Sequence, residues 1–110
     1  MRTAAVVLLL GTPLLADPVH FRTEDQIWIA ADLHRVGENA PTVICLPMYR
    51  NVRSSYEPLL KPLADKGFNV LVLDLRGHGE STPALKPKVE SRDPELFTAM
   101  HKDVAAAVAY

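Results

Sequence analysis

The chain has 110 residues, of which 48% are hydrophobic and 23% are charged, and its formal net charge is -1. This size and composition predict one globular domain. A near-neutral chain whose lysines and histidines do not gather into a patch lacks the electrostatic footprint of a nucleic-acid-binding protein, so we expect no nucleic-acid partner.

The first sixteen residues, MRTAAVVLLLGTPLLA, have the pattern of a secretory signal. One arginine precedes a short apolar run, and the segment ends at the small residue Ala16. The run is too short to span a bilayer comfortably, so we expect no stable membrane anchor. The prediction is a signal peptide over residues 1–16, a domain over residues 17–110, and export to the periplasm or the medium. The alternative is a buried first strand or helix.

Residues 19–35 predict a β-hairpin. A turn-rich pair, Glu24 and Asp25, separates HFRT from QIWIAADLHR. Apolar and polar residues alternate in the second segment, which predicts a half-buried antiparallel strand. One face would carry Ile27, Ile29, Ala31 and Leu33, and the other Trp28, Ala30, Asp32 and His34.

Two nearly continuous apolar runs, TVICL at residues 42–46 and NVLVLDL at residues 69–75, predict buried strands of a parallel sheet. Between them, SSYEPLLKPLADKG predicts a crossover helix. Its start would be a capping box formed by Ser54 and Glu57, and its stop would be Gly67. Strand, helix and strand together make a βαβ unit.

Two residues of this unit carry further expectations. Pro62 removes a backbone donor, so the helix should start late or bend. Cys45 is the only cysteine, which excludes an internal disulfide. Its apolar neighbours favour an inert, buried strand position. The alternative, a catalytic thiolate, needs a partly exposed electropositive site.

The stretch TPALKPKVESR, residues 82–92, is rich in proline and lysine and is predicted to be a loop. Asp93 and Pro94 then predict a helix start. The following apolar residues recur at helical spacing up to the end of the sequence: Leu96, Phe97, Met100, Val104, Ala107 and Val108. The histidines are too far apart for a ligand pair, and no CxxC or HExxH occurs, so we expect neither a metal nor a cofactor.

The loop GHGEST, residues 77–82, is the candidate for chemistry. As a dinucleotide-binding fingerprint it fails, because Thr82 stands at the third glycine and Pro83 follows where a helix must begin. It is not a nucleophile elbow either, since G-x-S-x-G needs a glycine two places after Ser81. We therefore do not assign Ser81 as a nucleophile.

His78 lies between Gly77 and Gly79 at the carboxyl end of a predicted strand. As a catalytic base it needs an activated nucleophile and an orienting carboxylate, which this chain does not offer in a suitable context. The simpler interpretation is a loop residue in a tight turn that the glycines permit. Asp74 and Arg76 are expected to hold this turn through charge-assisted hydrogen bonding.

The run from Pro41 to Ser81, PTVICLPMYRNVRSSYEPLLKPLADKGFNVLVLDLRGHGES, resembles the third strand, first helix and fourth strand of α/β-hydrolases, in which DxRGHGxS closes the fourth strand. The resemblance implies the N-terminal part of that fold, a β-hairpin followed by βαβα with a mixed, mostly parallel sheet. It also implies that TVICL has one unpaired side. The branches that the chain resembles are the dienelactone-hydrolase-like and serine-aminopeptidase-like ones.

The resemblance implies roles for two loops. Where the family commonly has His-Gly after its third strand, this chain has Pro47, Met48 and Tyr49. The backbone N–H of Tyr49, or else that of Met48, would form part of an oxyanion hole, unless PMYRN is only a connection. The loop after the fourth strand would shape the rim of the site without carrying the triad, through Asp74, Arg76, Gly77, His78, Gly79 and Ser81.

In this family the nucleophilic serine, the acid and the histidine follow in that order beyond the fifth strand. The resemblance therefore implies the front portion of a serine hydrolase for ester or amide substrates, with none of the triad present and no activity alone. The alternative is a non-catalytic interaction module that binds a partner, or a second copy of itself, through the exposed sheet edge.

Overall fold

The computed structural model describes residues 16–110, whose strands form one four-stranded sheet in the order β1-β2-β4-β3. β1 pairs with β2 and β2 with β4 in antiparallel fashion, whereas β3 and β4 are parallel. The predicted hairpin and parallel pair are both confirmed. The described sheet is mixed as expected, but with two antiparallel pairings and one parallel pairing it is not mostly parallel. The predicted signal peptide lies outside the described residues except for its last one, which begins β1. The strands are Ala16–Arg22 (β1), Trp28–His34 (β2), Thr42–Cys45 (β3) and Asn69–Leu73 (β4).

The helices follow the parallel strands. Within residues 16–110, no helix has the length and apolar character needed to cross a membrane. Two short 3-10 turns, Arg53–Tyr56 and Pro83–Leu85, each precede an α-helix. The α-helices are Glu57–Asp65 (α1), Lys86–Glu90 (α2), Pro94–Ala99 (α3) and His101–Ala109 (α4).

Strand β2 is covered on both faces, which corrects the expectation of a half-buried strand. Its second face also contains the buried residues Ala30 and His34, and only Trp28 is exposed. The reason is that the chain after β4 folds over this face, where the Ala30 N–H donates to the Ser81 hydroxyl at 2.8 Å. Its first face packs into the main core through Ile29, Ala31 and Leu33.

Helix α1 starts at Glu57, and the predicted capping box is wrong. Residues 53–56 form the 3-10 turn, Tyr56 takes the N-cap position, and no side chain caps the helix. Ser54 lies inside the turn, so it is not at the helix boundary. The late start agrees with the expectation from Pro62, which lies within the helix.

The stop at Gly67 is confirmed. Gly67 has a φ of +88°, and its N–H donates to the carbonyl of Ala64 at 2.9 Å. The next N–H, from Phe68, donates to Leu63 at 3.1 Å. These two bonds form a Schellman motif, which satisfies the last carbonyls of the helix and turns the chain into β4.

The segment predicted as a loop over residues 82–92 contains helical structure instead. Both the second 3-10 turn and α2 have a proline in their first two positions, where its missing N–H costs nothing. Val89 of α2 is buried. Asp93 caps α3 as predicted, accepting a hydrogen bond from the Glu95 N–H at 2.9 Å. The single predicted helix is divided at Met100 into α3 and α4.

Helices α1 and α4 cover opposite faces of the sheet. Every residue of β4 is buried, with Val70 and Val72 facing α1 and Leu71 and Leu73 facing the α4 side. Cys45 belongs to the α1 side and is buried, and burial raises the pKa of its thiol. This environment favours the inert interpretation of the cysteine. Because β3 and β4 are parallel, the loops that follow them both leave the sheet at the carboxyl ends of the strands.

Candidate active site

Two loops meet where β3 and β4 end. We call residues 46–52 the β3 loop and residues 74–82 the β4 loop. Because β3 and β4 are parallel neighbours, the segments that follow them both leave the sheet at the carboxyl ends of the strands. The sequence-predicted oxyanion residues are in the first loop and the predicted rim residues are in the second, so the fold brings the two sets together.

The β3 loop contains a tight turn from Met48 to Asn51. The Asn51 N–H donates to the Met48 carbonyl at 2.9 Å, and Arg50 has a φ of 67°, as the third residue of a type II turn does. Within the described chain, the N–H groups of Met48 and Tyr49 donate to no protein acceptor.

The Tyr49 side chain fastens the β3 loop to its surroundings. Its hydroxyl donates to the Val89 carbonyl at 3.0 Å. Its ring meets that of His78 edge-on, with centroids 6.2 Å apart, and lies 5.5 Å from that of Phe97. Such tilted pairs are favourable beyond their burial. One side chain thus connects the β3 loop with the β4 loop, α2 and α3, and limits the motion of the neighbouring N–H groups.

Asp74 and Arg53 join the two loops on their other side. The buried Asp74 carboxylate accepts hydrogen bonds from the backbone N–H of Arg53 at 2.7 Å and of Glu80 at 3.1 Å, and pairs with the Arg53 guanidinium. Arg53 also pairs with Glu80 and, at 2.9 Å, with Asp32. Burial acts to lower the pKa of Arg53, but its hydrogen bonds to Glu80 and Asp32 and the charge of Asp74 outweigh this and raise it.

Sequence reasoning missed Arg53. Its position at the start of the 3-10 turn carries no motif, and three carboxylates, one from β2 and two from the β4 loop, surround it only after folding. The sequence did contain one indication of such a cation. Asp74 follows an apolar run that is predicted to be buried, and a carboxylate buried there needs a cation as its partner.

Arg76 is buried in an ion triad that also involves the hairpin turn and α4. Its guanidinium binds both oxygens of Asp25, at 2.7 and 3.0 Å, while Nε and the backbone N–H each donate to Asp103 at 2.9 Å. Hydrogen bonding to Arg76 lowers the pKa of Asp25. Burial raises the pKa of Asp103 against the pull of the same arginine. Asp74 and Arg76 therefore each hold the β4 loop with a different partner, not with one another.

Ser81 is a structural residue in this arrangement. It is fully buried, its hydroxyl donates to the Asp74 carbonyl at 2.6 Å, and the same oxygen accepts from Ala30. The flanking glycines have φ values of +76° and +49°. A Cβ at Gly77 would lie 2.6 Å from a methyl group of Val89, and one at Gly79 would overlap the Asp74 carboxylate. Only glycine fits both positions.

His78 is buried and forms no pair with a nucleophile. Its Nδ1 lies 3.0 Å from the Arg76 carbonyl, and its Nε2 has no hydrogen-bond partner among residues 16–110. The same part of the chain contains no group of three or more histidine, cysteine or carboxylate side chains arranged to hold a metal ion.

A cavity of about 310 Å³ opens between the two loops and α2. An ion pair between Arg50 and Glu90, 3.1 Å long, lies at its wall. The other lining residues include Val52, Gly77, His78, Lys86 and Val89.

The model of the alpha/beta hydrolase fold family matches residues 41–110, well over half of the sequence. The chain belongs to this family. The matched hydrolase segment starts one residue before β3 and contains both loops of the site. A comparison with curated proteins finds no match.

Two solved structures share the hydrolase fold with this chain. "Thioesterase Domain From Curacin Biosynthetic Pathway" is 22% identical, with a TM-score of 0.53 over 61% of this chain and 23% of its own. "The structure of DcsB complex with its substrate analogue" is 20% identical, with a TM-score of 0.58 over 77% of this chain and 32% of its own. These likenesses confirm the predicted fold, a hairpin followed by βαβα. The chain spans less than a third of the length of either structure.

Proposed function

We propose that this chain forms the front part of the catalytic domain of a serine hydrolase that cleaves an ester or amide bond. The observation that carries the proposal is the pair of backbone N–H groups at Met48 and Tyr49, which lack a protein acceptor within the described chain and belong to the same loop as two residues that line the cavity, Arg50 and Val52. Pro47 has no N–H and contributes none. One such donor stabilises a developing oxyanion by about 3 kcal/mol.

In this proposal a serine attacks the substrate carbonyl while the Tyr49 N–H binds the oxyanion. The serine proton passes through the histidine to the departing alcohol or amine, and water then hydrolyses the acyl-enzyme. The sequence contains no G-x-S-x-G motif, so the nucleophile, acid and histidine are assigned to sequence that follows Tyr110. The residues of this chain position the donors, with Tyr49 anchoring the β3 loop at one side and Arg53 at the other.

The test begins with the coding sequence beyond codon 110. We expect G-x-S-x-G after one loop and one strand, within about 10–20 residues. The protein that includes this motif should hydrolyse a p-nitrophenyl ester and react with a fluorophosphonate, and replacing the motif serine by alanine should abolish both. An authentic stop codon without such a motif in any frame would overturn the proposal.

The proposal extends to location and branch. We propose export through a signal peptide over residues 1–16, a small-molecule substrate, and membership of the dienelactone-hydrolase-like or serine-aminopeptidase-like branch on the basis of DLRGHGES. Sequencing the N-terminus of the mature protein tests the first point, and Asp17 is the expected first residue.

The second candidate function is an interaction module. It is supported by the edge position of β3, whose outer side pairs with no strand among residues 16–110. This candidate predicts that residues 17–110 unfold cooperatively and form an oligomer of defined size in ultracentrifugation, whereas undefined aggregation contradicts it.

A further inference from the structure

One residue that lines the cavity between the two loops, His78, has a buried ring nitrogen. The other ring nitrogen, Nδ1, lies 3.0 Å from the carbonyl oxygen of Arg76. Because a carbonyl only accepts, Nδ1 is the donor in this contact, and in the tautomer that carries its proton on Nδ1 the other nitrogen, Nε2, is an acceptor. Nε2 is buried and has no partner in the described chain. Buried polar atoms are nearly always paired, so this atom calls for a donor from outside the chain.

The same cavity carries a cation whose charge is not balanced within its lining. Arg50 and Glu90 neutralise one another at 3.1 Å. Lys86 also lines the cavity and forms no ion pair with the described residues. A ligand in this space therefore meets one acceptor nitrogen and one ammonium group.

We propose that this cavity binds a hydroxycarboxylate group of the substrate, whose hydroxyl donates to His78 Nε2 and whose carboxylate pairs with Lys86. The inference rests on the proposed function, because the β3 loop, which would supply the oxyanion donors, also contributes Arg50 and Val52 to the lining of the cavity. Val52 and Val89 contact the carbon skeleton of the bound group. Since Nε2 is itself buried, a hydroxyl reaches it more readily than a larger donor, and a small shift of the lining side chains accompanies binding.

Glycolate and acetate are the probes, because they differ only by the hydroxyl. The whole chain, labelled with ¹⁵N in its histidines, should show a pyridine-type Nε2 at His78. Glycolate should shift this resonance saturably and bind about three- to tenfold more tightly than acetate, as one added hydrogen bond implies. His101 is the internal control, since its Nδ1 has the same type of contact, 2.8 Å from the Thr98 carbonyl, on an exposed ring. Its resonances should not move.

Variants separate the two contacts. His78→Phe should reduce the affinity for glycolate to that for acetate, Lys86→Met should weaken both probes by the same factor, and His101→Phe should change neither. If His78→Phe does not fold, the titration of the unaltered chain decides alone. Equal binding of both probes, no shift at His78, or a protonated Nε2 with a bare Nδ1 would each overturn the proposal.

The glycolate-binding experiment can succeed or fail independently of the test of the proposed function, because binding requires no catalytic turnover. Selective glycolate binding by a protein that reacts with no fluorophosphonate retains the cavity assignment and rejects the hydrolase. Ester hydrolysis by a protein that does not discriminate glycolate from acetate rejects the cavity assignment alone.

Discussion

The two loops at the carboxyl ends of β3 and β4 differ in how firmly the rest of the fold holds them. The β4 loop is fixed by two glycines at positive φ, by the buried hydroxyl of Ser81, and by ion pairs that Asp74 and Arg76 form with other parts of the fold. The β3 loop is exposed, with Met48 75% and Tyr49 40% accessible, and its two N–H groups have no acceptor among the described residues. The loop with the recognisable motif is therefore the more firmly packed one, and the loop without a motif has two N–H groups that lack a protein acceptor among residues 16–110.

The largest effect is expected when the buried cation of the β4 loop, Arg76, is removed. Arg76→Met leaves the buried carboxylate of Asp103 without its partner, which should lower the free energy of unfolding by about 3–5 kcal/mol. Urea denaturation measures the loss. The control is Lys61→Met, which breaks the exposed pair with Asp65 and should cost no more than about 0.5 kcal/mol. Equal losses in both variants would contradict the buried triad.

A second test adds one methyl group to the same loop. Gly79→Ala places a Cβ against the Asp74 carboxylate at a positive φ, so we expect a loss of about 1–3 kcal/mol in unfolding free energy. Gly37→Ala is the matched control, because its nearest neighbour would be the Cβ of Ala40 at 3.9 Å. That change should be neutral or slightly stabilising. Similar melting temperatures for the two variants would argue against the tight turn.

The β3 loop is tested through the anchor of Tyr49. Tyr49→Phe removes the hydrogen bond to Val89 and keeps the ring contacts, so the unfolding free energy should fall by about 1 kcal/mol. Amide hydrogen exchange at Asn51, whose N–H donates to the Met48 carbonyl within the same loop, should accelerate. Tyr56→Phe loses a hydroxyl bond to the Leu46 carbonyl at 2.7 Å, at the start of the loop, and is the comparison for the loss of another hydroxyl bond. Equally faster exchange at Asn51 in both variants would show that Tyr49 has no special role.

The smallest expected effect is a pH dependence of the hairpin contact. The folded pKa of Asp25 lies below its unfolded value, so its contribution to stability is present above about pH 4 and is lost as the pH falls through the folded value. Asp25 is partly exposed, so the contribution is about 1 kcal/mol. Acid titration of the unfolding midpoint should be shallower in Asp25→Asn, and an unchanged slope would contradict the pairing.

The sequence predicts the sheet of this protein well because buried strands and a Schellman glycine are local signals. TVICL and NVLVLDL both become strands, each one or two residues shorter than predicted, and Gly67 ends α1. The capping box fails because residues 53–56 adopt a 3-10 turn in which Arg53 meets its carboxylates. Tertiary ion pairs of this kind override the local capping preference and leave no trace in the spacing of residues.

The candidate site is less predictable for the same reason. Sequence reasoning identifies which loops lie at the edge and rules out Ser81 as a nucleophile, but the tautomer of His78 depends on the Arg76 carbonyl. Lys86 forms no ion pair because Glu90 of the same helix pairs with Arg50 instead. This arrangement could not be predicted, because the sequence analysis did not predict α2.

The triad of Asp25, Arg76 and Asp103 has a consequence for biosynthesis. Its three members are spread over most of the polypeptide, and Asp103 comes from the last helix of the described chain. Until the codons for α4 have been translated, the Arg76 guanidinium has only its hairpin partner Asp25. The triad can therefore be completed only after α4 has left the exit tunnel.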